Sequence, residues 1–185
     1  NRLSIIVIIL VLSAFTSLII THNWVSNRFA TTYSEISDWY SGKRIHSSVG
    51  IRLEMYTSGW EAIKEKPFFG HGYLNGTKEA AKYADPRVRD TIKNYVQMHG
   101  EYTTTFVEKG LFGLLSLSML LLSPILPITR NYSKDDVYIR IGVVTIVSFI
   151  LFGLFNASFG DTTVKAFYML LICLILPNLH KESFR

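Results

Sequence analysis

The sequence predicts an all-α, polytopic membrane protein. It should have about four transmembrane helices and one large helical extracytoplasmic loop between the first and second. Three observations lead there. The 185 residues are 49% hydrophobic and 14% aromatic but only 18% charged, whereas a soluble domain carries about 25% charged residues. Three stretches, 3–21, 111–129 and 141–160, hold no charge at all. Residues 22–110 hold 22 of the 33 charged side chains. This distribution excludes both an ordinary soluble domain and a disordered chain.

A helix rises about 1.5 Å per residue, so a bilayer core needs about 20 apolar residues. Residues 1–21 form the first predicted span. Its apolar run is too long for a signal-peptide core, and no small-residue cleavage motif follows it. Residues 22–110 form the loop and 111–129 the second span, with Pro124 and Pro127 set to kink or end it. Residues 130–140 make a connection, 141–160 the third span, 161–165 a short loop, 166–180 a shorter fourth span and 181–185 a tail. The chain opens at Asn1 without an initiator Met and reads as a piece of a longer protein. Its one cysteine, Cys173, excludes an intramolecular disulfide and a cysteine-based zinc site. It lies in an apolar run and is expected to be a packed thiol.

Lys and Arg in short connections set orientation. Arg2, Arg130, Lys134, Arg140, Lys181 and Arg185 fall on one side, against Lys165 on the other. Both termini are therefore expected in the cytoplasm, with loop 22–110 outside. The net charge of +5 is largely this cytoplasmic bias, and no nucleic-acid partner is implied.

Within the loop, Trp24, Phe29, Tyr33, Trp39 and Tyr40 suit a helix near the membrane interface, ended by Ser41-Gly42-Lys43-Arg44. Residues 47–66 read as a helix capped by Ser47 or Ser48, with Leu53, Tyr56, Trp60 and Ile63 as its packed stripe. Arg52 lies beside that stripe. It is either a surface arginine paired with Glu54 or a rigid fork for an anionic oxygen cluster. Pro67 and Gly70 end the helix. Phe68-Phe69-Gly70-His71-Gly72-Tyr73 is a glycine-flanked turn, packed by Phe68 and Phe69 or exposing His71. Residues 75–97 are helical in part, broken at Asp85-Pro86. Their basic stretch of Lys82, Arg87, Arg89 and Lys93 is a solvated face or an attractor for anionic head groups. His99 precedes a helix carrying Tyr102, Phe106 and Gly110, with Gly110 and Gly113 as small contact surfaces. It is either an interfacial histidine with one hydrogen bond or a base able to take a proton from a sugar hydroxyl.

The order Arg52-Leu53-Glu54-Met55-Tyr56 … Trp60, Pro67-Phe68-Phe69-Gly70-His71-Gly72, His99-Gly100-Glu101-Tyr102 … Glu108-Lys109-Gly110-Leu111-Phe112-Gly113 resembles the O-antigen ligase and polymerase family of bacterial polytopic membrane glycosyltransferases. The likeness covers residues 45–125 and suggests the C-terminal portion of such a protein. The family commonly has His-Asn where this chain has His99-Gly100. The resemblance implies transfer of an undecaprenyl-diphosphate-linked glycan to a sugar hydroxyl. Lipid A–core is the acceptor in ligases and a growing polysaccharide in polymerases. Transfer would occur at the periplasmic face of the inner membrane, with inversion and with no cofactor or metal.

On that reading Arg52 and His99 are catalytic, as diphosphate ligand and general base. Arg44, His71, Tyr102 and Glu101 contact substrate, and Glu101 or Glu108 orients His99. Besides the glycan substrates, membrane lipids are the expected partners. The competing non-enzymatic reading is a membrane sensor or assembly subunit whose loop binds a partner, favoured by the aromatic richness of 24–40.

Overall fold

The computed structural model describes residues 2–43, 45–130 and 136–179; in the first helix, side chains are described at 16, 17, 21 and from Trp24 onward. Among the described residues the fold is all-α, without a strand. The chain divides into two compact units, Asn1–Gly50 and Ile51–Arg185.

The first unit is dominated by α1, Arg2–Tyr40. The first predicted span and the aromatic segment after it are thus one uninterrupted helix of 39 residues, about 58 Å long at 1.5 Å per residue. Gly42, at φ 69°, ends it, because only glycine takes that conformation without penalty. Arg44 lies outside the described residues. The second helix, α2 (Ser48–Glu65), begins as expected: Ser47 Oγ accepts the Gly50 N–H at 3.0 Å, satisfying one of the orphan donors of a helix start.

In the second unit, the buried side of α2 only partly follows the predicted stripe: Ile63 is buried and Leu53 and Tyr56 are half-buried, but Trp60 is not. Met55, Ser58 and Ala62 are buried whereas Trp60 is 55% exposed. Gly59 makes this close approach possible, since a Cβ there would sit 2.5 Å from Met98 Cε. The periodicity was correct and the face was displaced by about one residue, because small residues, not the largest, mark the contact.

Two short helices follow, α3 (Gly76–Ala81) and α4 (Arg89–Lys93), either side of the predicted break at Asp85-Pro86. Ala80, Ala81, Ala84, Val88, Ile92 and Met98 form their buried interior, and Thr77 Oγ1 donates to the Tyr95 carbonyl at 2.7 Å. Three cations of the basic stretch are held internally. Lys82 pairs with Glu79, Arg87 with Asp85, and Arg89 donates to the Ala84 carbonyl.

Helix α5 (Glu101–Leu122) leads to α6 (Ile125–Arg130) across Pro124, then to α7 (Val137–Phe155) and α8 (Thr162–Ile175). Asp136 and Asp161 cap α7 and α8, accepting N–H groups of Tyr138 and Thr163 at 2.7 Å each. Residues 101–130 and 137–155 are long and apolar enough to cross a membrane, yet only 22% and 28% of their most apolar windows are buried. A soluble core helix would be mostly buried. Large residues such as Met119, Val144, Phe155 and Leu170 face outward, and Cys173, expected to be packed, is exposed with them. Inside, Leu117, Leu121 and Tyr168 pack together, as do Ile128, Ile139, Ile146 and Ile175. The third predicted span ends five residues early, at Phe155. α8 has 14 residues and runs straight on through a 3-10 turn, Leu176–Asn178, so the apolar helix Thr162–Asn178 only reaches the lower end of the roughly 17–25 residues that span a bilayer.

Candidate functional site

Helix α5 is broken at Gly110, where φ is 64° and ψ −162°. In an unbroken helix the N–H groups of Leu111 and Phe112 would bond the carbonyls of Val107 and Glu108. Here a neighbouring turn takes over both halves of that exchange. His71 and Gly72 donate to Val107 and Glu108 at 2.9 and 2.8 Å, while Leu111 and Phe112 donate to Pro67 and Phe68 at 2.8 and 3.3 Å. Four backbone groups that the break would strand are satisfied, which the edge of an apolar phase demands.

The crossing requires two glycines. A Cβ on Gly70, itself at φ 67°, would lie 2.4 Å from the Glu108 carbonyl carbon. One on Gly110 would lie 2.3 Å from that of Phe68. Gly110 therefore serves the break rather than helix–helix contact. Phe68 and Phe69 are more than half exposed, so backbone bonds hold the turn instead of a Phe-packed interior.

His71 is part of this lock. Its side chain is 2% exposed, with Nδ1 3.5 Å from Glu79 Oε2 and Nε2 2.8 Å from the Ala62 carbonyl. A carbonyl only accepts, so Nε2 carries a proton. Both ring nitrogens are engaged within the protein. Glu65, His71 and Glu79 bring ligand atoms within 4.8 Å of one another, among the described residues the group with that spacing. Lys82 already bonds Glu79. The Tyr83 hydroxyl bonds Glu65, which pushes its pKa up to about 12.

Arg52 and Tyr56 stand four residues apart on α2, on one face. Tyr56 donates its hydroxyl to the His99 carbonyl at 2.6 Å, tying the residue before α5 to the helix that carries Arg52. The His99 ring meets Tyr95 edge-on, with centroids 5.2 Å apart. Burial holds the imidazole below its ordinary pKa of 6.5, and the Arg52 guanidinium lowers it further. The same guanidinium acts against the burial that raises the Tyr56 pKa. Arg52 and His99 thus lie within electrostatic reach of each other. Glu54, the alternative partner for Arg52, accepts the Asp85 N–H at 2.7 Å. Among the described residues Arg52 forms no ion pair.

The other expected site residues point elsewhere. Tyr102 donates to the Ile150 carbonyl at 2.9 Å, joining α5 to α7. Glu101 is buried and accepts the Phe159 N–H at 2.7 Å; Glu108 accepts the Leu74 N–H at 3.1 Å. Among the described residues neither carboxylate pairs with His99; Tyr56 holds its backbone carbonyl and the Tyr95 ring meets its imidazole. Sequence reasoning missed both tyrosines in this role. The four-residue spacing from Arg52 was the available signal for Tyr56, and Tyr95 had none.

A family model described as O-antigen ligase matches residues 1–118, which takes in α1, α2, the glycine turn, His99 and the break. The chain belongs to the O-antigen ligase family. An uncharacterized protein of Haemophilus influenzae is 25% identical over 184 residues, covering 95% of this chain and 46% of its own length. The chain therefore spans about half the length of the curated relative it matches. Family membership and the two outward-apolar helices make it a membrane protein.

Proposed function

We propose that this chain carries out transfer of an undecaprenyl-diphosphate-linked glycan to a sugar hydroxyl, in the manner of an O-antigen ligase with a lipid A–core acceptor. The observation that carries the reading is the electrostatic reach between Arg52 and His99. Burial, and secondarily the charge of Arg52, hold the imidazole below its ordinary pKa and so favour the neutral ring required of a general base.

His99 removes the proton from the acceptor hydroxyl as its oxygen forms the new bond to the anomeric carbon. The bond to the diphosphate oxygen breaks, and Arg52 takes up the developing charge, where a preorganised cation is most effective. A single displacement inverts the anomeric centre. The leaving group is stabilised by guanidinium, so no metal is needed and chelators leave the rate unchanged.

Arg44, Tyr102 and Glu101 remain proposed substrate contacts. A direct contact by His71 would require its ring to leave Ala62 and Glu79, so its first role is to hold the turn behind the site. The site works at the periplasmic face of the bacterial inner membrane, with residues 22–110 outside and residues 166–180 as a fourth crossing.

The test uses the full-length protein in membranes. Arg52→Ala and His99→Ala should each lower transfer by on the order of 10²–10⁴-fold while insertion is unchanged. Wild-type transfer by both variants would remove the assignment and favour the non-enzymatic reading. A polymerase uses the same donor; its loss leaves core plus one repeat in the lipopolysaccharide profile, whereas ligase loss leaves bare core.

A further inference from the structure

We propose that the turn carrying Phe68 and Phe69 dips into the edge of the bilayer and rests against lipid acyl chains, which fixes the depth at which the end of α2 sits. The inference does not depend on the transfer chemistry. Its first support is apolar surface continuous with that of a membrane helix. Phe69 is 79% exposed, as open as Met119, 70% exposed in the middle of the uncharged run 111–129. The Phe69 and Phe112 rings meet with centroids 5.2 Å apart. Phe112, Leu115, Met119 and Leu122 recur along α5 at three- and four-residue steps, the spacing of one helix face, and all four are exposed. Phe69 therefore adds a side chain from the loop to the head of that stripe. A contiguous apolar patch of this kind marks a contact surface.

The kind of side chain selects lipid as the occupant. Helices that pack on one another inside a membrane meet through Gly, Ala, Ser and Thr, which let the backbones approach. The stripe from Phe69 to Leu122 offers Phe, Leu and Met instead. Ser118, beside it, turns its hydroxyl back to the Leu114 carbonyl at 2.8 Å and so asks nothing of a neighbour. Such a face suits fluid chains better than a second helix.

The backbone of the turn is also prepared for an apolar surrounding. Irregular backbone at membrane depth must have its polar groups satisfied by protein, because lipid supplies no partners. Here the Pro67 and Phe68 carbonyls accept from α5, the His71 and Gly72 N–H groups donate to it, and the Gly70 N–H donates to the Lys66 carbonyl at 3.0 Å. A turn that stayed in water could leave these groups to solvent. Lys66 and Lys109, both exposed, flank the aromatic rings along the chain, and long lysine stems let the ammonium groups remain in the head-group layer. The rings thus sit at the boundary of the bilayer, not at its centre.

The test is site-directed spin labelling of the full-length protein in liposomes, with Cys173 and any other native cysteine replaced by serine. Nitroxides are attached through F69C, through M119C as the lipid-facing reference and through K64C as the aqueous one. Collisions with oxygen, which concentrates in lipid, are compared with collisions with a water-soluble nickel chelate. The label at 69 should favour oxygen over nickel, as the label at 119 does, whereas the label at 64 should favour nickel. A label at 69 that meets nickel as often as the one at 64 would leave the turn in water and overturn the proposal. An immobilised label reached by neither reagent would overturn it too, because protein would then cover the rings. If F69C fails to insert, the same reading at F68C decides. No turnover is needed, so the result stands apart from transfer by the Arg52 and His99 variants.

Discussion

The described residues of 51–100 and of 101–179 are both largely helical and both bury apolar side chains, yet they differ in the apolar surface they leave outside. In the first stretch the interior is made of residues such as Ala62, Ala80, Ala84 and Ile92, with Met98 closing it. In the second, large apolar side chains such as Met119, Val144 and Phe155 look outward, and the few buried ones are gathered at Tyr168 and Ile146. Around α3 and α4 the first follows the rule of a water-soluble domain, where apolar surface is hidden, while Trp60, Phe68 and Phe69 stay outside. The second obeys that of a membrane domain, where lipid is as good a neighbour as protein. The change occurs at the Gly70–Gly110 crossing. Arg52 and His99 lie outside the crossing itself, their segments joined by the bond from Tyr56 to the His99 carbonyl.

That contrast can be broken most severely at the crossing. Gly110→Ala puts a side chain into a backbone region that is nearly glycine-only, costing on the order of 1–3 kcal/mol, and drives its Cβ onto backbone that has no room to yield. Gly70→Ala does the same from the other strand of the crossing. Each should destabilise the protein by about 3 kcal/mol in total, read as a large fall in melting temperature and in monodisperse yield in detergent.

Tyr56→Phe should act more gently. It removes the hydroxyl that holds the His99 carbonyl, a loss of about 1 kcal/mol. Transfer should fall by about five-fold, with little change in melting temperature. Gly59→Ala should have the smallest effect, within about 1 kcal/mol of wild type. The added Cβ meets the flexible end of Met98, and alanine regains up to about 1 kcal/mol of helix propensity. If Gly59 proved as intolerant as Gly110, the distinction between a backbone lock and a side-chain contact would fail.

Much of this was legible in the sequence. Uncharged runs placed the apolar helices, Pro67 and Gly70 ended α2, and Asp85-Pro86 separated α3 from α4. His99 fell just before α5, as expected. The buried face of α2 was misread at Trp60, which was assumed to seek the interior with Ile63. Beside a groove or bilayer, large aromatic residues stay outside while Gly59 and Ala62 make the contact. The break in α5 was hidden because Gly110 sits in a helix-favouring context. Its reason lies about forty residues away, in the turn that supplies the missing hydrogen bonds. Equally hidden was the cavity that Glu101 shares with Phe159 and Lys165, which reach it from a 3-10 turn and from α8.

The central claim is that Arg52 acts on the His99 imidazole. The direct measurement is the pH dependence of His99 acylation by diethyl pyrocarbonate, followed by mass spectrometry of the peptide that carries it. The reagent attacks the neutral ring, so the midpoint reports the pKa without requiring turnover. In the wild-type protein the midpoint should lie below 6.5, and in Arg52→Gln it should rise, because the positive charge that disfavours protonation is gone. A midpoint that is the same in both proteins would contradict the account.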